Sequence, residues 1–236
     1  MHRLLLVLAL SIVVNCLSAQ TDITHNFNNW AFYLGQYKLS DKWGIHLDIQ
    51  YRTDERIARA NQNLLRAGLQ YYFKPTRHLT VGYAYINTYN AGIEDYLHED
   101  RIWQQFIDVR SKAQVNMTHR YRLEQRFVEK SDGSNVFGHR FRYFNRTLFE
   151  LTKDQEKKHP FYLALQDELF FNFFSPDING QLIDQNRFYI GLGIFQQRLN
   201  RLEIGYMNQW INPARGGDVM NHILQLSLLH TLGVRG

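Results

Sequence analysis

The chain carries a single cysteine, Cys16, and four prolines, and beyond its first twenty residues it has no long apolar run. The lone cysteine falls in the segment read below as a leader, so neither disulfides nor a thiolate metal site hold the rest together. Few prolines leave the backbone donors that long strands need. With no apolar stretch of about 20 residues, a helical membrane span is excluded after the leader. Recognisable chemistry is scarce too. The histidines show no metal-ligand spacing, and no histidine–serine pair stands together on a strand. PDINGQLID (residues 176–184) puts Gly180 fourth from Asp177, not sixth, so it is a poor match to a calcium loop. Neither a catalytic centre, a metal nor a cofactor is expected.

The start, MHRLLLVLALSIVVNCLSAQ, has the parts of an export signal. His2 and Arg3 form a basic end, residues 4–14 an apolar run, and Leu17-Ser18-Ala19 a small-residue exit. Residues 1–19 are therefore expected to be cleaved, leaving 20–236 as one exported domain. The net charge of +5, from 27 Lys+Arg against 22 Asp+Glu, favours anionic partners. Export removes nucleic acid from the list.

Aromatic residues make up 14% of the chain and favour strands. The apolar period is two, not 3.6. Ile45, Leu47, Ile49 and Tyr51 alternate with His46, Asp48, Gln50 and Arg52; Leu79, Val81, Tyr83 and Tyr85 alternate with Thr80, Gly82 and Ala84, and Phe188, Ile190, Leu192 and Ile194 with Arg187, Tyr189, Gly191 and Gly193. Tight connections at 40–41, 74–77, 110–112 and 199–200 take turns with longer polar links at 54–61, 90–97, 129–135, 175–183 and 212–218. The charged 153–159 link is the exception on the tight side. Short turns at one end and long loops at the other are the habit of transmembrane barrels. Eleven strands are clear. An extra one at 22–27, turned at Asn28-Asn29, gives an even twelve (within a range of 10–12); otherwise that stretch hangs free or enters the lumen.

HRYRLEQRF and HRFRYFNR raise the question of where their charges point. An arginine facing lipid at the midplane costs about 2–4 kcal/mol, so the charged parity faces inward. That places Arg120, Arg122, Glu124 and Arg126 in the lumen, with Arg140, Arg142, Arg146 and Glu150 beside them. The same rule brings in Asp48, Arg52, Arg66, Glu99, Arg101 and Gln105. It adds Glu168, Asn172, Arg187 and Glu203. On this parity ten arginines face six acids, with the excess expected at Arg120, Arg126, Arg140 and Arg146. Turn positions inferred from sequence set Glu124 opposite Arg142 and Glu99 opposite Arg122.

Trp30, LDIQYR ending at Arg52, GYAY from Gly82, EDRIWQQ, HRYRLEQRF, the DEL containing Glu168, DQNRFYIGLG and LEIGYMNQ together resemble a bacterial family. It is catalogued as domain of unknown function 2490 and is common in Bacteroidetes-type bacteria. The resemblance spans nearly the whole chain after the leader. It implies an outer-membrane β-barrel and supplies no activity. The expectation is thus a monomeric, all-β, antiparallel transmembrane barrel in the outer membrane, surrounded by lipid and lipopolysaccharide. Its Arg/Glu-lined lumen is either structural filling or a porin-like channel for small anionic solutes, with a lipid-modifying enzyme as the alternative.

Overall fold

The computed structural model describes residues 23–54, 57, 59–151, 160–196 and 200–233. The expected leader and the 153–159 link lie outside them. Period-two patterning becomes eleven strands: β1 (Thr24–Lys38), β2 (Trp43–Thr53), β3 (Ala60–Lys74), β4 (Arg77–Asn90), β5 (Asp95–Lys112), β6 (Val115–Glu129), β7 (Asn135–Glu150), β8 (Phe161–Phe173), β9 (Ile183–Phe195), β10 (Asn200–Ile211) and β11 (Val219–Leu232). They close into a barrel in chain order.

The count is eleven, not twelve, and the reason lies at Asn28-Asn29. These residues do not turn. β1 runs straight through them and pairs in parallel with β11, from Thr24 opposite Val219 to Tyr37 opposite Leu232. The side-chain amides of Asn26 and Asn28 both donate to Asn221 Oδ1, at 3.1 and 3.3 Å, so the asparagines stitch the seam. Every other neighbouring pair is antiparallel. With an odd number of strands, β1 begins at the end bearing the longer links and β11 finishes at the other.

Turn chemistry fixes most of the registers. At 39–42 the N–H groups of Leu39 and Ser40 donate to the Trp43 carbonyl, while Ser40 Oγ accepts from the N–H of Trp43. Two expectations shift. The β5–β6 turn lies at Ala113-Gln114, not 110–112, with Ala113 in the left-handed region. Asp108 accepts from Arg110 Nε at 2.9 Å, which helps carry β5 past the expected break. The β4–β5 link is also shorter than the expected 90–97, because Asn90 and Asp95 already belong to strands. Residue 199 lies outside the described set, and Asn200 opens β10.

The barrel is polar within and apolar without. Leu65, Leu69, Val81, Leu192, Ile204 and Leu226 are all exposed, while Arg66, Arg122, Glu124 and Glu203 are buried. Water-soluble proteins distribute these residues the other way round. Rings at the turn end include Trp43, stacked edge-on to Tyr71, and Phe73 with Phe106. Inside, glycines hollow the wall for aromatic side chains. Trp103 lies against Gly68 and Gly82, Tyr189 against Gly191 and Gly205, and Tyr162 against Gly193. The IGLG run therefore makes room for tyrosines.

Candidate anion site in the barrel lumen

The inward parity brings three glutamates and seven arginines of β5–β9 into one network. Glu99 accepts from Arg101 Nε and Nη2 at 2.6 and 2.8 Å and from Arg126 Nε and Nη2 at 2.5 and 3.1 Å. Glu124 accepts from Arg140 Nε and Nη2 at 2.9 and 2.7 Å and from Arg142 Nη1 at 2.7 Å. Arg101 and Arg122 stand 3.7 and 3.8 Å from the same carboxylate. Glu168 accepts from Arg142 Nε and Nη2 at 3.0 and 2.7 Å and from Arg120 at 2.6 Å, with Arg187 at 3.7 Å. Arg101 thus links Glu99 to Glu124, and Arg142 links Glu124 to Glu168.

Two smaller pairs complete the lining. Arg146 donates to Glu203 at 2.5 Å, and Tyr189 OH donates to the other oxygen of that carboxylate at 2.8 Å. Arg66 donates to Asp48 at 2.7 Å. Of the remaining expected lumen residues, Gln105 accepts from Arg122 Nε and Nη2 at 3.1 and 2.7 Å, and Glu150 accepts from Asn116 at 3.0 Å. Asn172 turns to a loop carbonyl, that of Gln181, at 3.4 Å.

The structure reassigns both the pairing and the excess charge. Glu124 lies opposite Arg140 and Arg122 opposite Arg142, because the β6–β7 link closes with Glu129 opposite Asn135. Glu124 still meets Arg142, diagonally. Glu99 lies opposite Val128, not Arg122, a consequence of the later β5–β6 turn. Arg120, Arg126, Arg140 and Arg146, expected to lack partners, each have a carboxylate. Arg52 is the arginine that differs. Among the described residues its donors find amides instead: Gln50 accepts at 3.1 and 2.5 Å and Gln62 at 2.5 Å. Its guanidinium lies 3.7 Å from the centre of the Trp30 ring, which also has Arg187 at 5.1 Å. Arginine can use this stacked geometry because its guanidinium is planar, as an ammonium is not.

Around this stack the lumen widens. A cavity of about 1130 Å³ at the loop end is lined by Arg52, Arg59, Arg126, Arg140 and Arg187 among its cations and by Asp54, Glu99, Glu129 and Asp184 among its acids, together with Gln62 and Asn221. A smaller one of about 420 Å³ lies toward the turn end, lined by His46, His78, Asn116, Glu150 and Arg201 among others. Trp30, Arg66, Arg142 and Arg187 line both, so this layer forms the waist between them. With its amide oriented toward Arg187, Gln185 accepts from Nε and Nη2 at 2.5 and 2.8 Å. Trp30, Gln62, Gln185, Gln209 and Asn221 were not singled out as site residues from sequence. An amide at the inward parity beside an inward arginine was the signal available.

The family model described as "Protein of unknown function (DUF2490)" matches residues 27–221. The chain belongs to the DUF2490 family. The strands that carry the charge network thus fall inside the DUF2490 match. An uncharacterised protein of Methylorubrum extorquens is 28% identical over 186 residues, covering 77% of each chain. Among solved structures, LpxR from Salmonella typhimurium aligns at a TM-score of 0.44 and 8% identity over 78% of this chain and 83% of that one. That likeness is too distant to carry an argument about this DUF2490 protein.

Proposed function

We propose that this DUF2490 protein is an exported outer-membrane barrel that binds a small anionic solute in the wide, loop-end chamber of its lumen. Support for the membrane comes from the exposed apolar wall and the buried charges, an arrangement that suits hydrocarbon outside and a polar interior. On this reading the belt meets outer-membrane lipid and lipopolysaccharide, the barrel works as a monomer, and the loop end faces outward. The anion reading is carried by Arg52. It faces a cavity of about 1130 Å³ and is held by amides, not a carboxylate. A buried guanidinium held this way keeps an unneutralised charge, which a phosphate or carboxylate group satisfies. Transit past the waist requires the Arg–Glu layer to part, so the resting barrel is a binding vessel and a poor conductor.

Trp30 beneath Arg52 supplies the test. Titration of the refolded barrel with citrate and with inorganic phosphate should change tryptophan emission saturably. Arg52→Ala should abolish the response, while Arg110→Ala on the outer wall should leave it intact. A response that does not saturate, or that survives in Arg52→Ala, overturns the reading.

A further inference from the structure

The smaller chamber, toward the turn end, sets an arginine among apolar neighbours. Cross-strand register puts Phe195 on β9 opposite Arg201 on β10, Arg201 opposite Leu229 on β11, and Leu229 opposite Leu34 on β1. All four line this chamber of about 420 Å³, and so does Phe32, the next inward residue on β1 toward the loop end. The guanidinium stem of Arg201 therefore stands in a row that is apolar on both sides.

Arg201 has no partner of its own. The Arg146–Glu203 pair next to it acts on it with both signs, repulsion from Arg146 and attraction from Glu203. That carboxylate is already occupied, since one oxygen accepts from Arg146 and the other from Tyr189 OH. Among the described residues, no hydrogen bond or ion pair engages the half-buried Arg201 side chain. The other acids of the chamber are engaged as well. Arg66 holds Asp48, Arg142 holds Glu168, and Glu150 accepts from Asn116 on β6.

A guanidinium left unneutralised in a protein wall is costly, and its donors call for water or an anion. The apolar row makes a second demand. Phe32, Leu34, Phe195 and Leu229 turn hydrocarbon toward a polar lumen, and covering that surface is favourable. One free positive charge suits a singly charged head. From Arg201 to Leu34 the row spans two strand spacings of about 4.8 Å each, the reach of a short alkyl chain. The volume of the chamber falls within the range of about 300–1,000 Å³ usual for small-molecule sites.

We propose that the turn-end chamber binds a medium-chain alkyl carboxylate. Arg201 takes the carboxylate, and the chain lies over Leu229, Leu34 and Phe32. This site is separate from the one at Arg52, takes a different class of anion, and uses none of the groups that hold the solute there. With the loop end outward, it lies on the periplasmic side of the waist.

Isothermal titration calorimetry tests this on the full-length mature barrel refolded in phosphatidylcholine vesicles, corrected against protein-free vesicles. The probes are butanoate, hexanoate, octanoate and octanol. Each added methylene that reaches the apolar row should tighten binding about fourfold, or about fifteenfold from hexanoate to octanoate. Octanol, with the same chain and no charge, should bind about tenfold more weakly than octanoate, the worth of one charge-assisted hydrogen bond. Arg201→Gln strands no carboxylate, so it should refold and lose the preference for octanoate over octanol. Leu229→Ser should flatten the dependence on chain length. Arg52→Ala should leave octanoate binding as in wild type, so the two sites stand or fall separately. No saturable octanoate binding, wild-type affinity that does not rise with chain length, or an octanoate preference unchanged in Arg201→Gln overturns the proposal. Octanoate binding lost in Arg52→Ala overturns it too, because the ligand would then belong to the loop-end chamber.

Discussion

Replacing Glu124 by alanine is the most informative single perturbation of the lumen. The carboxylate is fully buried and accepts three hydrogen bonds, two from Arg140 and one from Arg142. Arg142 keeps Glu168 as a partner after the change, but Glu124 is the carboxylate that Arg140 bonds to. Removing it strands the guanidinium of Arg140, whose side chain is only 7% exposed although it borders the wide chamber. Breaking a buried pair in this way typically costs about 3–5 kcal/mol. Glu124→Gln, which keeps an acceptor of the same shape, should fall between alanine and wild type. Glu94→Ala, in the exposed β4–β5 link, should stay within about 0.5 kcal/mol. Urea unfolding of the barrel in lipid vesicles, followed by tryptophan fluorescence, measures all three. A Glu124→Ala loss no larger than that of Glu94→Ala would refute the reasoning, because it would mean water already solvates Arg140.

Three further outcomes follow from the geometry. Arg140→Glu places a carboxylate beside Glu124 and removes its bidentate partner, so it should prevent refolding, whereas Arg52→Ala, which strands no carboxylate, should refold with near-native urea resistance. Gly82→Val puts branched carbons where Trp103 and the Ala67 carbonyl already lie; overpacking of this kind costs about 1–3 kcal/mol, read as a lower urea midpoint, and an unchanged midpoint would mean Trp103 moves freely. Single cysteines at Ser131 and Asn179 should react with an impermeant label on intact cells while one at Asp41 does not, and the opposite pattern would invert the barrel.

How much of this was readable in the residues depends on range. Alternation is local, so parity alone placed Arg66, Arg122, Glu124 and Glu203 inside and Ile49, Val81 and Ile190 outside. Strand count failed at Asn28-Asn29, because paired asparagines serve a tight turn and an inter-strand amide ladder equally well. Choosing between them needs Asn221, almost two hundred residues away. Register failed for a different reason. Whether β5 stops at Arg110 or runs to Lys112 is decided by Asp108 holding Arg110 and by Ala113 accepting a left-handed backbone. Moving that turn changed the β6 partner of the residues on β5. Arg52 became the distinctive lumen arginine only once cross-strand contacts assigned carboxylates to the other candidates.

Single-channel recording of the refolded wild-type barrel in planar bilayers tests the central claim most directly, that an Arg–Glu layer closes the lumen between a wide chamber and a narrow one. The account predicts an embedded protein with no steady open steps, and with any residual current favouring chloride over potassium because arginines outnumber acids along the wall. Large, steady steps from the wild-type protein, above all ones favouring potassium, would contradict it.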